Sequence, residues 1–248
     1  MRAAACLLMI CGVASGCGSD DTGVDPGPGP PGVGRIAYVS RQDSVNQIYL
    51  MDIDASGKGI APTKLTGDSE PENYPSWSPN GRQLLYARDL DGTAIYLINA
   101  DGTGQRRLSP TPGMDINPSW SPDGARIIYA RVVELPEPGK APMTEIRIMN
   151  VDGSDDHAIF GGSSLNAEPR WSVIDRVVFF SNMSGDFINV YAVNIDGTDL
   201  RQLTTEGNSS DPVWSPDGMR ITFGSDREGA NRLNIFVMNA DGSQQEQV

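Results

Sequence analysis

Acidic and amide side chains stand in the segment that enters each tryptophan-containing stretch of the chain: Glu72 and Asn73, Asp115 and Asn117, Asn166 and Glu168, and then Asp211. Carboxylates and amides gathered around one axis would draw a basic peptide or a cation, and without one the carboxylates would repel each other. Glu72, Asp115, Glu168 and Asp211 are therefore the candidate binding residues, placed on one rim of whatever scaffold repeats them. Other chemistry is sparse. The single histidine, His157, follows Asp155-Asp156 and reads as a solvated loop residue. A hydrolase needs a base held beside a nucleophile, and no Gly-Xaa-Ser-Xaa-Gly elbow occurs. Asp52-Ile53-Asp54-Ala55-Ser56-Gly57 has the spacing that opens a calcium loop, but the twelfth position is Thr63 where a bidentate Glu is needed. That segment reads as a hairpin turn. No catalytic residue, metal ligand or cofactor is expected.

The elements that must position these groups are repeated. Pro-Xaa-Trp-Ser occurs at Pro75 to Ser78, Pro118 to Ser121, Pro169 to Ser172 and Pro212 to Ser215, and it holds all 4 tryptophans, Trp77, Trp120, Trp171 and Trp214. Pro-Asn-Gly or Pro-Asp-Gly follows in three units, supplying a preset φ and then a position that tolerates φ > 0. Next come apolar, β-branched and aromatic runs such as Ile127-Ile128-Tyr129 and Val177-Val178-Phe179-Phe180, which predict strands. A second strand leads each time into Asn-Xaa-Asp-Gly, a hairpin signal, and a last short strand ends near Leu65, Leu108 and Leu203. A period of roughly 40–45 residues built from four short strands is that of a β-propeller blade.

The expectation is an all-β chain, a β-propeller of about five four-stranded blades over residues 35–248. The first blade lacks its innermost strand, because Pro26 to Gly32 alternates Pro and Gly and cannot donate a sheet ladder. The chain stops at Val248, where another Trp strand would be expected, so the ring is open or truncated, or closes with five blades. Glu134 to Ala141 reads as an exposed hairpin insertion, and Trp171-Ser172-Val173-Ile174-Asp175 must turn without Pro-Asp-Gly.

These Trp-Ser-Pro-Asp-Gly units resemble those of the TolB-type β-propeller family, also described as PD40 or WD40-like repeats. The resemblance implies the propeller fold and a role in an envelope assembly that contacts an outer-membrane partner. The chain has no separate N-terminal α/β domain of the kind that accompanies such blades.

The N-terminus sets the compartment. Met1-Arg2 and the apolar Ala3 to Val13 have the form of a signal peptide, too short to span a membrane as a helix. Ala14-Ser15-Gly16-Cys17 resembles a lipobox, making residues 1–16 the leader, Cys17 the lipidation site and residues 17–34 a Gly/Pro-rich tether. Of the 3 cysteines, Cys6 and Cys11 would leave with the leader, so no disulfide can form in the mature chain. The formal net charge of -13 disfavours nucleic acid and anionic headgroups. The sequence reading is thus a non-catalytic binding module, exported and lipid-anchored in the cell envelope, with a protein or peptide partner of basic character. The competing reading is a carbohydrate lyase or hydrolase that uses rim carboxylates.

Overall fold

A computed structural model describes residues 34–41, 45–67, 69–109, 113–135, 140–185, 187–229 and 233–248. The expected leader, Cys17 and all of the expected tether except Gly34 lie outside the described residues, as does the middle of the expected insertion. Among the described residues there are nineteen strands and no helix.

The strands fall into five consecutive sets. The first holds β1 (Gly34–Ser40), β2 (Gln47–Ile53) and β3 (Gly59–Lys64). The second holds β4 (Glu72–Trp77), β5 (Gln83–Asp89), β6 (Thr93–Asn99) and β7 (Arg106–Arg107). The third holds β8 (Met114–Trp120), β9 (Arg126–Glu134), β10 (Met143–Asn150) and β11 (His157–Gly161). The fourth holds β12 (Asn166–Trp171), β13 (Arg176–Ser181), β14 (Asn189–Asn194) and β15 (Arg201–Gln202). The fifth holds β16 (Ser209–Trp214), β17 (Arg220–Ser225), β18 (Asn234–Asn239) and β19 (Glu246–Gln247). Each set is an antiparallel meander, and a single parallel pair, Thr93 with Met114, joins the second to the third. As the sequence predicts, the first set has no Trp strand among the described residues.

The second strand of each complete set is sandwiched between neighbouring sets, which explains its nearly continuous apolar run. Leu84, Leu85 and Tyr86 are fully buried, as are Ile127, Ile128 and Tyr129. The core is therefore divided among the interfaces between sets. Leu85, Leu97 and Leu108 pack with Trp120, Ile127 and Met149 across the second and third sets. Ile128 and Ile148 meet Trp171, Phe179 and Tyr191 across the third and fourth. Val178 and Leu203 meet Trp214, Phe223 and Met238 across the fourth and fifth.

The turns follow their sequences. Ser121 and Ser215 donate their hydroxyls to Asp123 and Asp217, each at 2.5 Å, and the glycine that ends the turn sits at φ 71 in both. In the fourth set Asp175 takes the left-handed place at φ 56, and Ser172 Oγ accepts from the amides of Ile174 and Arg176. The Asp52-to-Gly57 segment is a hairpin turn. One oxygen of Asp54 accepts from the Ser56 amide at 2.8 Å, the Ser56 hydroxyl at 2.6 Å and the Lys58 amide at 3.0 Å.

Candidate binding site at the inner strands

The innermost strands β4, β8, β12 and β16 share an irregularity that brings the site into being. Each slips register against its neighbour, between Asn73 and Ser76, Ile116 and Ser119, Ala167 and Arg170, and Ser210 and Val213. At each slip one residue is forced into the left-handed region: Tyr74 at φ 57, Asn117 at 53, Glu168 at 55 and Asp211 at 53. All four immediately precede the Pro of Pro-Xaa-Trp-Ser. For Tyr and Glu this backbone is uncommon, and a bulge of this kind re-aims a side chain rather than extending a ladder. Such strain persists where the surroundings over-determine it.

The bulge corrects the expected rim. Glu72 and Asp115 lie five residues before their tryptophans and Glu168 and Asp211 lie three before, so the four do not occupy one equivalent position. Nor do they form an open ring. Glu72 and Asp115 are fully buried and Glu168 is nearly so. Asp115 is matched by Arg131, whose Nε and Nη2 donate to its two oxygens at 2.6 and 3.0 Å. Arg131 also reaches Asp156 at 3.2 Å, and Asp156 accepts from the Tyr129 hydroxyl at 2.6 Å and from Arg147 Nε at 2.9 Å. This network holds the Asp156 carboxyl below its ordinary range, because those donors outweigh the desolvation that acts against them.

Glu168 and Asp211 are brought together. Burial, and then the neighbouring charge of Asp211, push the Glu168 carboxyl up to about 8. The Tyr74 phenol is raised as well, by burial and by Glu168. At neutral pH Glu168 is therefore protonated and hydrogen-bonded to Asp211, and the pair carries one negative charge rather than two. Folded protein binds this proton more tightly than the unfolded chain does, so stability should fall as pH rises from about 4.5 toward 8. Glu168→Gln should flatten that slope and raise the melting temperature most above pH 8. Thermal melts of the two proteins across this window check it, and parallel curves would contradict it.

Beside the bulges lies an axial cavity of about 360 Å³. Its wall is the Trp-Ser-Pro turns of the second, third and fifth sets, Trp171-Ser172-Val173 of the fourth, and Tyr74, Asn117, Arg170 and Val213. Arg170 is the one charged side chain among the described lining residues. The tryptophans are tied in from behind. Trp120 Nε1 donates to the Ser76 carbonyl at 3.1 Å and Trp214 Nε1 to the Arg170 carbonyl at 3.2 Å, each reaching the residue that precedes the tryptophan of the previous set. Trp171 instead donates to Asp175 at 3.4 Å and carries Arg126 over its ring at 4.6 Å. His157 stands on β11, exposed, with Nδ1 2.8 Å from the Asp155 carbonyl. Among the described residues no three His, Cys, Asp or Glu side chains gather as metal ligands would.

Residues 29–132 match the family model described as the TolB beta propeller domain. The chain folds as a TolB-type β-propeller. A Tol-Pal system protein TolB of Francisella tularensis subsp. mediasiatica is 30% identical over 97 residues, 38% of this chain and 22% of that protein. The chain thus spans about a fifth of the length of the curated relatives it matches. The crystal structure of TolB from Acinetobacter baumannii superposes with a TM-score of 0.69 at 23% identity, covering 85% of this chain and 50% of that one. An oligogalacturonate lyase in complex with manganese superposes at 0.63 with 16% identity, covering 86% and 61%. At these identities the structural likeness speaks for the fold alone, which both binding proteins and enzymes use.

Arg170, Val173 and Val213 went unmarked in the sequence because none of them repeats. Tyr74 and Asn117 could have been found by aligning the units on Trp, three residues back.

Proposed function

We propose that this chain is a non-catalytic binding module of the bacterial cell envelope. It is exported, anchored through a lipid on Cys17, and captures an envelope protein by a segment seated in the axial cavity. The observation that carries this reading is the cavity wall, in which indole and proline surfaces surround one cation, Arg170. Apolar walls with a few placed polar groups are what small binding sites present. An aromatic or aliphatic side chain next to a carboxylate fits that wall, with the carboxylate meeting Arg170. This replaces the basic partner expected from the rim, since Asp115 is already neutralised by Arg131 and Glu168 is protonated. The likeness to TolB, named as a Tol-Pal system protein, supports an envelope setting.

Capture from envelope extract by the mature chain tests the reading, with bound proteins compared by mass spectrometry. Arg170→Glu should lose the partner recovered by the parent, and Cys17→Ser should move the protein out of the membrane fraction. An identical set of captured proteins would refute the cavity as the site, and an unchanged membrane fraction would refute the anchor.

A further inference from the structure

The inner side of β1 is the one place in the molecule where a repeated element has no counterpart. Its sisters β5, β9, β13 and β17 each pair with β4, β8, β12 or β16 on that side. Among the described residues β1 pairs only with β2. The register of the comparison is fixed by the outer strands. The Ile48 amide donates to Thr66 Oγ1 at 3.1 Å as the Ile95 amide does to Ser109 Oγ at 3.0 Å. Val39 stands opposite Ile48 as Ala87 stands opposite Ile95. Arg35, Ile36 and Ala37 are then the counterparts of Gln83, Leu84 and Leu85. In every complete set the serine after Trp donates its amide to the first residue of the next strand, as Ser78 does to Gln83 and Ser121 to Arg126. On β1 that carbonyl belongs to Arg35, and alternation puts the backbone groups of Ala37 and Val39 on the same side.

Two signs show that this place is built to be filled. Val39 is 37% exposed where Ala87 is 1% and Ala130 is 0%. The second sign is an indole. Trp120 and Trp214 donate Nε1 to the carbonyl before the tryptophan of the preceding set. For Trp77 the preceding set is the first, and its buried Nε1 has no hydrogen-bond partner among the described residues. A buried donor left this way is costly until an acceptor arrives.

We propose that β1 is a strand-accepting edge that takes an extended segment of a separate polypeptide, antiparallel and of Pro-Xaa-Trp-Ser character. Its aromatic residue lies beside Ile36 as Trp77 lies opposite Leu84, and the carbonyl before it accepts from Trp77 Nε1. This is β-augmentation, with the ladder giving affinity and the Trp77 donor fixing register. The chain's own Pro26 to Gly32 cannot serve, because Pro26, Pro28, Pro30 and Pro31 have no amide to donate. A second copy has no strand to offer, since β4, β8, β12 and β16 are each engaged in their own sets.

The probe is a fluorescein-labelled peptide of residues 114–122, titrated into the full mature chain and read by anisotropy. Saturable one-to-one binding is expected, weakened about tenfold or more by Val39→Pro, which removes an amide from the vacant side of β1. Trp77→Phe should weaken it several-fold, and in nitrogen-edited NMR spectra the Trp77 indole resonance should shift downfield on binding. Arg170→Glu should leave the affinity unchanged, which separates this edge from the axial cavity. The proposal is overturned by an absence of saturation up to about 1 mM or by an unmoved Trp77 indole signal. It is equally overturned if Arg170→Glu rather than Val39→Pro abolishes binding, or if the chain dimerises through β1 and the dimer excludes the peptide.

Discussion

Trp120→Ala should lower the stability of the propeller by about 3–5 kcal/mol, with an apparent Tm reduced by roughly 10 °C. The tryptophan is 7% exposed and sits in the interface between the second and third sets, against Leu85, Leu97 and Ile127. Two losses add. The indole leaves a cavity that strands on both sides cannot collapse to fill, because each is held in its own ladder. The Ser76 carbonyl also loses the N–H that satisfies it. Urea titration followed by circular dichroism measures the change. A midpoint within error of the parent's would mean that the Trp strands are ornaments of the channel and not its fastening.

Asp115→Ala should be nearly as severe, at about 3 kcal/mol. Asp115 is fully buried while Arg131 is 15% exposed at its side chain, so removal strands a guanidinium against β9 with its main partner gone. Asp156 remains in reach of Arg131 and softens the loss. If charge imbalance is the cause, Arg131→Met in the Asp115→Ala background should recover part of the stability, since an apolar pair of similar volume often replaces a buried ion pair at little cost. Chemical denaturation of the single and double variants decides it. A double variant less stable than Asp115→Ala alone would show that Arg131 matters for its packing over Tyr129 and Asp156 instead.

These two residues mark how far the sequence could be read. Trp120 announces itself, since a tryptophan in a repeated Pro-Xaa-Trp-Ser, followed by a turn and an apolar run, has one economical place in an all-β chain. The hairpins of Asp54 and Asp101 were equally legible, because their geometry is made by neighbours two and four residues away. Asp115 was not. It reads as one polar residue among several entering the strand, and its fate is decided by Arg131 across a register slip and by Asp156 from the next hairpin. The same slip separated Glu72 and Asp115 from Glu168 and Asp211, which a count of residues before each tryptophan would have shown, and turned an imagined open rim into two different depths. Arg170 and Val173 lie in the variable letters of the motif, where repetition carries no signal. The fold was written in what recurs, and the cavity's character in what does not.

The division of the core into separate interfaces has a further meaning for how the molecule responds as a whole. Each apolar cluster joins two consecutive sets, so free energy is exchanged mainly between neighbours, as in a linear array, and the first set learns little of what happens at the fifth. The axial cavity is the exception, because its wall draws on four sets at once. A guest seated there would touch sheets that otherwise communicate only by relay, and its departure would return the array to independent links. Occupancy would then be felt as cooperativity of unfolding more than as any movement of a strand.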